Sequence, residues 1–434
     1  MKGNFQTILI GIFMAFFIFA VLIFSGLLPI GKSNSSKSAP TGKVVIWGTF
    51  PGADIAKVFD NLNTKNRNLI ISYTQKNSET YQSDLIKSFA AGNGPDIFIM
   101  SDDMVLPNKD FTFVLPFANY PQKTFNDGFF DGAEAFISNE GVLGLPILVD
   151  PIVLYYNKDL LANEGIAKPP EYWDELFDLN AKLTKKKNDG TISQSMIALG
   201  TYDNITHAKD ILSLLLIQGG NPIISRSGDK ILATLSSNFK LPTSPAEAVL
   251  AFFSEFSNQN DQAYSWNRGL LESRDMFTSG KLAFYVGRAS ELFYIQSVNP
   301  NLSFDVAPIL QTRGTNVKRT YAKVYALAIN KKSTNSGAAF GVAGLLSNGD
   351  DAKDFAQALS LPPASRSLLA NAPTDPYLFT FFNSAIISRT WLDPSFEETN
   401  DIFKEMIQNV LSNKLSASDS VSKAQSRLSA LLNK

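Results

Sequence analysis

Side chains that commonly perform catalysis or bind metals are scarce in this sequence. It contains no cysteine, which excludes a disulfide framework, a thiolate metal site, a cysteine nucleophile and a lipid-modified cysteine. Its single histidine, His207, cannot form a multi-histidine metal site. Neither a nucleophile elbow nor a zincin motif occurs. We therefore predict no metal, no cofactor and no catalytic residue, and a site built from carboxylate, amide, guanidinium and aromatic groups.

One pattern typical of nucleotide binding does occur. Gly26–Ser33 (GLLPIGKS) matches the phosphate-loop pattern, in which two glycines separated by four residues precede Lys and Ser or Thr. Such a loop functions only between a strand and a helix whose N-terminus faces the phosphates. Here the pattern begins inside a long apolar segment and continues into a Ser-rich linker. We interpret the match as accidental.

The apolar N-terminal segment predicts a membrane anchor. No charged side chain occurs between Lys2 and Lys32, and Ile8–Ile30 is long enough to cross a hydrocarbon core of about 30 Å. The apolar core of a cleaved signal peptide is shorter, roughly 7–15 residues, so we favour an uncleaved anchor over a removed signal. We assign residues 1–31 to the anchor and residues 32–42 to a flexible linker.

The remainder predicts an α/β protein of two domains. A chain of 434 residues is long for one core, and 39 basic against 40 acidic residues give no basic patch for nucleic acid. Apolar runs alternate with amphipathic stretches. The predicted strands are Val44–Gly48, Leu69–Tyr73 and Gly94–Met100. The predicted helices include Ala53–Leu62, Ser78–Ala91 with Gly92 as its stop, Asn204–Leu216, and one that starts at a Ser244–Glu247 capping box.

Several segments, in order, resemble one known family. They are Asp84–Met100 (DLIKSFAAGNGPDIFIM), Gly144–Leu161 (GLPILVDPIVLYYNKDLL), Lys168–Leu176, Leu215–Ile223, Met276–Gly287 and Phe304–Ile309. Together they resemble the maltose-binding-like family of ABC-transporter extracellular solute-binding proteins. The resemblance spans roughly Val44 to Lys434. No single segment is specific, and the shared order and spacing make the resemblance convincing.

The resemblance implies a two-lobed periplasmic-binding-protein-like fold of type II, in which hinge crossovers join two α/β lobes. We assign residues 43–149 and 308–360 to the N-terminal lobe, and residues 150–307 and 361–434 to the C-terminal lobe. The first crossing is expected at Val149–Pro151, and two more near Pro308 and Leu361. Short crossovers let two rigid lobes rotate without unfolding either core.

The resemblance also implies ligand contacts where the lobes meet. A sugar presents apolar C–H faces and a ring of hydroxyl groups, so its sites combine aromatic rings with carboxylate, amide or guanidinium groups. The predicted contacts are Trp47, Asp103, Asp150, Asn204, Arg288, Tyr325 and Trp391. Each has a structural alternative: a turn or cap for Asp103, a hinge hydrogen bond for Asp150, and a salt bridge for Arg288.

The implied function is not enzymatic. A monomeric extracytoplasmic domain, tethered by its N-terminal helix, would capture a small solute by lobe closure and deliver it to ABC permease subunits. The expected solute is a mono- or oligosaccharide. The family's maltose-binding pattern has tryptophans where Met100 and Ala289 stand, which argues against a long maltodextrin in the same pose. Two alternatives are a sensor module of the same fold and a glycosidase that uses Asp103 and Asp150.

Overall fold

The computed structural model describes residues 42–228, 230–315 and 317–433. The predicted membrane segment, the linker up to Thr41 and the Gly26–Ser33 pattern lie outside these residues. Within the described ranges, no helix is both long and apolar enough to cross a membrane. The described chain forms a mixed α/β structure of two lobes.

The elements follow the alternation that the sequence predicts. The strands of the described chain are β1 (Gly42–Gly48), β2 (Leu69–Gln75), β3 (Ile97–Ser101), β4 (Leu115–Pro116), β5 (Gly141–Val142), β6 (Leu145–Asn157), β7 (Lys185–Lys186), β8 (Ile192–Ile197), β9 (Ile224–Ser227), β10 (Lys230–Ala233), β11 (Leu282–Arg288), β12 (Phe304–Ala307), β13 (Thr320–Ile329) and β14 (Ser388–Arg389). Its α-helices are α1 (Gly52–Lys65), α2 (Tyr81–Ala91), α3 (Gln122–Gly128), α4 (Lys158–Asn163), α5 (Glu175–Leu183), α6 (Ala208–Gln218), α7 (Pro245–Glu255), α8 (Ser273–Thr278), α9 (Leu292–Val298), α10 (Ser336–Ser347), α11 (Asp350–Leu359), α12 (Arg366–Leu369), α13 (Pro376–Ile386), α14 (Phe396–Leu411) and α15 (Ala417–Leu432).

The N-terminal lobe is built on the predicted strands. β1 pairs in parallel with β2 and β3, and β13 runs antiparallel to β3. Parallel strands that helices cover on both faces have nearly continuous apolar runs in their sequences. In β1 the side chains of Val44 and Ile46 are fully buried. The C-terminal lobe continues the same sheet in the order β6, β11, β8, β7.

The 13-residue strand β6 passes from one lobe to the other. Its residues 145–151 pair with β13, and its residues 152–157 pair with β11 and β12. Pro151 lies at the change of partner. Because proline has no N–H group, it cannot donate to the ladder at this point. The ladder therefore lacks one donor at the position where the first crossing is predicted, and the crossing itself stays a prediction.

Residues 362–365 form another connection beside β6. The Val149 N–H donates to the Pro362 carbonyl at 2.9 Å, and the Ala364 N–H donates to the Ile147 carbonyl at 2.9 Å. This segment leads from α11 of the N-terminal lobe towards α13, which packs on β6 and β12. A third crossing near Leu361 stays a prediction, which we place in this segment as a proposal.

The segment between β12 and β13 stays with the C-terminal lobe. The Gln311 N–H donates to the Glu171 carbonyl at 2.9 Å, and Arg313 Nε lies 2.8 Å from an oxygen of Asp174. The chain then enters β13, which pairs with both β6 and β3. We propose that the second crossing lies within β13, after the predicted position near Pro308.

Three details of local structure test the sequence patterns directly. Gly92 ends α2 in the left-handed region at a φ of 72°, as predicted for a helix stop. The prediction of a capping box at Ser244 was wrong, because the Ser244 side chain makes no capping hydrogen bond. α7 does begin there, with Pro245 at its first position, but the Ser244 hydroxyl donates to the Leu235 carbonyl at 3.4 Å. The α6 helix begins at Ala208, four residues after the predicted start.

Candidate functional site

Carboxylates and cations meet where β3, β6, β11 and β13 come together. Asp102 and Asp103 follow β3 directly, and Arg288 ends β11. Asp150 of β6 lies opposite Lys323 of β13. The N-terminal turn of α6 adds a lysine and an aspartate. The interlobe cluster, as we name it, consists of Asp102, Asp103, Asp150, Lys209, Asp210, Arg288 and Lys323.

Asp103 forms an ion pair with a lysine of strand β13. Lys323 Nζ lies 2.9 Å from Asp103 Oδ2, and the Ser101 hydroxyl donates to the same carboxylate. Burial is the largest influence and opposes ionisation of Asp103, but the charge of Lys323 and the hydrogen bonds from Ser101 and Lys323 together outweigh it and hold the pKa at about 2. Asp103 is therefore ionised at neutral pH. It presents an acceptor beside a cation.

Asp102 has the opposite electrostatic character. Only 1% of it is exposed, and it accepts hydrogen bonds from the Val324 N–H at 2.9 Å and from the Thr390 hydroxyl. Burial, reinforced by the negative charge of Asp103, raises its pKa to about 7. Asp102 thus joins the end of β3, strand β13 and the segment after β14 through one buried carboxyl group.

Asp150 connects β6 to the turn that follows β11. Its two oxygens accept from the Ser290 N–H at 2.9 Å and the Ser290 hydroxyl at 2.7 Å. Burial raises the pKa of Asp150 against the attraction of the nearby Arg288. This arrangement corresponds to the hinge hydrogen bond weighed as its structural alternative. It leaves fewer free lone pairs for a ligand than an exposed carboxylate would have.

Arg288 is held by α6. Its Nε lies 2.9 Å from Asp210 Oδ2. Although burial lowers the pKa of Arg288, Asp210 and Asp150 raise it well above its usual value. Next to this pair, His207 Nε2 lies 2.9 Å from Glu291 Oε2. Burial opposes ionisation of Glu291, but His207 and several hydrogen bonds hold its pKa at about 2.

A cavity of about 290 Å³ opens on the C-terminal lobe beside Lys209. Lys209 pairs with Asp393, donates to the Thr399 hydroxyl at 2.6 Å and lies 4.3 Å from the ring centroid of Phe396. The cavity is lined by Tyr202, Asp203, Ile205, His207, Ala208, Lys209, Asp210, Arg288, Phe396, Asn400 and Lys404. Its volume is at the lower end of the range for small-molecule pockets, roughly 300–1,000 Å³.

Tyr325 lies on strand β13, two residues from Lys323 of the cluster. Strand residues two apart point to the same side, so Tyr325 and Lys323 of β13 share a face. The Tyr325 ring contacts Phe50 edge-on, with 4.9 Å between ring centroids. Burial raises the pKa of Tyr325 to about 12, so its hydroxyl stays protonated at neutral pH. Within the described ranges this hydroxyl has no hydrogen-bond partner.

The cluster can bind a polar solute but has no arrangement for covalent chemistry. Lys323 carries three N–H donors and uses one on Asp103, and Arg288 keeps Nη1 unbonded among the described residues. Tyr325 adds a free hydroxyl. A set of donors that also includes the carboxylate-bound Lys323 suits a ligand with several hydroxyl groups. Among all the residues that the structure describes, no group of three or more His, Cys, Asp or Glu side chains could hold a metal.

Residues 51–364 match the family of bacterial extracellular solute-binding proteins. The chain belongs to this family. A putative binding protein of Brucella abortus is 21% identical over 391 residues, which cover 88% of this chain and 89% of the relative. The family is one of binding proteins, so this chain is not an enzyme.

Solved structures confirm the two-lobed fold of this solute-binding protein. The cyclic α-maltosyl-1,6-maltose binding protein of Arthrobacter globiformis superposes with a TM-score of 0.74 at 17% identity, covering 90% of this chain and 99% of that one. A cyclo/maltodextrin-binding protein in complex with maltotetraose gives 0.72 at 17% identity, covering 92% and 98%. At this identity the similarity shows the fold alone.

Besides Tyr325, three predicted contacts of the solute-binding protein lie outside the interlobe cluster. Asn204 Nδ2 donates to the carbonyls of Asn267 and Leu270, at 2.9 and 3.1 Å, and holds that loop. Trp391 is 3% exposed and donates through Nε1 to the Ser213 hydroxyl. Lys76 covers the Trp47 ring, 3.6 Å from its centroid. These contacts favour structural roles, and ligand binding by the three residues stays a prediction.

Lys209, Asp210 and Lys323 belong to the cluster but were not among the predicted contacts. A signal existed in the sequence. Lys323 is the one charged residue of β13 (TYAKVYALAI), and α6 (AKDILSLLLIQ) is charged only at Lys209 and Asp210. A buried charge needs a partner, so a lone charge inside an apolar element indicates either an ion pair or a site.

Proposed function

We propose that this protein captures a small carbohydrate between its two lobes and delivers it to an ABC permease. One observation carries the proposal: the interlobe cluster draws on β3 of one lobe, α6 and β11 of the other, and both hinge strands. A ligand bound there contacts the groups that join the lobes. Its binding energy can therefore favour the closed arrangement over the open one.

The chemistry of the cluster favours hydroxyl groups as the recognised feature. Charged donors and acceptors that share sugar hydroxyls give strong, directional hydrogen bonds, each worth about 1.5–3 kcal/mol. The aromatic rings of Phe396 and Tyr325 lie beside these charges and can contact apolar C–H faces. The related structures named above include a complex with maltotetraose, which supports this class of ligand.

The proposal includes a tether and a hinge. The uncharged segment Ile8–Ile30 supports a membrane anchor, which would keep the binder close to its permease and raise its effective concentration there. The hinge would consist of β6, β13 and the segment 362–365. The two lobes would then rotate about three neighbouring connections, all buried at the centre of the molecule.

The glycosidase alternative is excluded by family membership, and the geometry agrees. Asp150 already binds both hydrogen-bond donors of Ser290, and Asp103 is ionised and paired with Lys323. A glycosidase requires a protonated carboxyl group of raised pKa opposite a second carboxylate, with a free approach to the sugar. Two carboxylates that are each engaged by protein groups suit binding instead.

A binding measurement on the full-length chain tests the proposal. Isothermal titration against a panel of neutral mono- and oligosaccharides should give heat with at least one member. The variant Tyr325→Phe removes only the hydroxyl group that has no partner in the described protein. We expect about a three- to tenfold loss of affinity for that sugar, the value of one hydrogen bond, with unchanged thermal stability.

The matched control is Tyr294→Phe, which removes the hydroxyl of a tyrosine on the exposed side of α9. Its affinity should equal that of the unmodified chain. Absence of heat with every sugar would direct attention to another ligand class. Equal affinities for Tyr325→Phe and Tyr294→Phe would remove Tyr325 from the site.

A further inference from the structure

One end of the N-terminal lobe carries exposed basic side chains. β1 and β2 begin there in matched register, and the antiparallel β13 ends there at Ile329. The Lys331 N–H donates to the Phe111 carbonyl at 2.8 Å, which places the short 3-10 helix Lys109–Phe111 at the same end of the sheet. The basic edge, as we name it, consists of exposed residues of these strand ends and loops: Lys43, Arg67, Ile70, Lys109, Phe113, Lys331 and Lys332.

The basic edge and the interlobe cluster lie at opposite ends of the same strands. Asp102 and Asp103 follow the C-terminal end of β3, whereas the basic edge lies where β1 and β2 begin. Parallel strands run in one direction, and the seven residues of β1 separate the two ends by about 23 Å. A partner that contacts the basic edge therefore leaves the cluster end of the lobe free.

The positive charge of the basic edge is not neutralised within the described protein. Its five cations are exposed, and none of them forms an ion pair with another residue that the structure describes. In the described loops at this end, which are residues 66–70, 92–96, 109–113 and 330–335, the only exposed carboxylate is Asp110. The edge thus presents an excess of positive charge to its surroundings.

The other carboxylates near the basic edge are engaged by protein groups. Asp96 accepts hydrogen bonds from the Val45 N–H at 2.9 Å and from the Ser333 hydroxyl at 2.6 Å, so it holds two loops together. On the flank, Lys65 at the end of α1 pairs with Asp351 of α11 at 2.7 Å. Two further aspartates of α11 lie near the same lysine. These acidic groups leave the five cations of the edge without a partner.

The described chain also begins at the basic edge. The N–H of Gly42, the first described residue, donates to the Asn68 carbonyl at 2.9 Å. The sequence before it contains the uncharged segment Ile8–Ile30 and the linker of residues 32–42, which spans at most about 38 Å when extended. An anchor in Ile8–Ile30 would therefore keep the basic edge close to the lipid surface.

We propose that the basic edge docks on the anionic head groups of the membrane that holds the anchor. Lysine and arginine side chains near such a surface are attracted to it within about one Debye length. Ile70 and Phe113, which are 62% and 39% exposed, add apolar side chains that can enter the head-group region. The docked domain would hold its cleft away from the lipid, open to solute. The inference rests on the proposed membrane anchor and adds an orientation that the flexible linker alone does not impose.

Energy transfer to the membrane surface tests this orientation. The full-length chain is placed in vesicles of phosphatidylcholine alone, or of phosphatidylcholine with anionic phosphatidylglycerol, that carry an acceptor dye on the lipid head groups. Because the chain has no cysteine, Asn68→Cys and Glu79→Cys each provide a single site for the donor dye. Asn68 lies before β2 at the basic edge, and Glu79 lies beyond the opposite end of β2.

We expect phosphatidylglycerol to raise the transfer from the Asn68→Cys label and not from the Glu79→Cys label. Raising the ionic strength from about 0.01 M to about 1 M shortens the Debye length from about 30 Å to about 3 Å. The transfer from Asn68→Cys should then fall to the level found with neutral lipid.

Two triple variants assign the effect to the basic edge. Lys43→Gln, Lys331→Gln and Lys332→Gln together should remove the response of the Asn68→Cys label to phosphatidylglycerol. The matched control replaces three exposed lysines of the C-terminal lobe, Lys158, Lys182 and Lys281, by glutamine and should keep the full response. Thermal unfolding checks that both triple variants fold.

The outcomes separate this inference from the proposed anchor. A chain that stays with the vesicles at high salt but gives equal transfer on neutral and anionic lipid would keep the anchor and overturn the docking of the edge. A response that survives in the edge variant would overturn the assignment to these lysines. A chain that binds only anionic vesicles, and only at low salt, would support the edge and overturn the anchor. If the chain associates with neither kind of vesicle, both proposals fail, and carbohydrate binding is still tested by calorimetry.

Discussion

Two neighbouring aspartates in the interlobe cluster illustrate how position determines charge. Asp102 and Asp103 are adjacent in sequence and both are largely buried. Lys323 lies beside Asp103 and stabilises its ionised form. The ionised form of Asp102, in contrast, is destabilised by burial and by the negative charge of Asp103. The pKa values therefore move in opposite directions, to about 7 and about 2.

The raised pKa of Asp102 predicts a specific pH dependence of stability. In the unfolded chain its pKa is near 3.8, and in the folded chain near 7. The folded state thus binds the proton more tightly, so the contribution of Asp102 is fully present below about pH 4 and is lost as the pH rises through 7. Asp102→Asn keeps an acceptor for Val324 but cannot ionise.

We expect Asp102→Asn to remove the decline in unfolding free energy that the Asp102 carboxyl group causes in the unmodified chain between about pH 4 and 7. Urea unfolding at several pH values measures this slope, on a scale of about 1.4 kcal/mol per pKa unit. Asp110→Asn, at an exposed aspartate of the N-terminal lobe, is the control. Parallel slopes for the unmodified chain and Asp102→Asn would contradict the prediction.

At the scale of elements, β6 and the turn after β11 are joined by Asp150 and Ser290. We expect this connection to stabilise the fold because the Asp150 carboxylate is buried and accepts two hydrogen bonds there. Ser290→Ala removes one of these bonds and leaves a buried oxygen without its partner. Such a loss costs about 1–3 kcal/mol of unfolding free energy.

Ser297→Ala provides the comparison for Ser290→Ala. The Ser297 hydroxyl also donates a hydrogen bond, to the Tyr294 carbonyl, but at the exposed end of α9. Its loss should cost less than about 0.5 kcal/mol. If urea unfolding shows equal stability for the two variants, the Asp150–Ser290 connection is not the stabilising contact that its burial indicates.

Prediction from the sequence succeeded where local patterns determine structure. Apolar runs identified β1, β2 and β3, and the glycine stop of α2 was correct. The prediction of a cap at Ser244 was wrong, because the Ser244 hydroxyl donates to the Leu235 carbonyl. This is a tertiary contact that no local pattern contains. The ion pair between Asp103 and Lys323 joins residues 220 positions apart, so spacing could not indicate it. Family resemblance supplied Asp103 but not its partner.

At the scale of the whole molecule, the cluster and the hinge imply that binding changes the distance between lobes. Contacts such as that between Asp102 and the Thr390 hydroxyl already connect the two sides. A ligand that bridges the cluster adds interactions only to the closed arrangement, and it shifts the population by its differential affinity for that state. The effect should appear as a shorter and narrower distribution of distances across the cleft.

Because the chain has no cysteine, two introduced cysteines are unique labelling sites. The pair Glu79→Cys and Glu397→Cys places one exposed spin label on each lobe. Double electron–electron resonance measures the distance between the two labels. Saturation with a sugar that binds should shorten this distance. The pair Glu79→Cys and Asp110→Cys lies within the N-terminal lobe and should not change. An unaltered distance across the lobes, with binding confirmed by calorimetry, would mean that capture occurs without closure and that β6 and β13 do not act as a hinge.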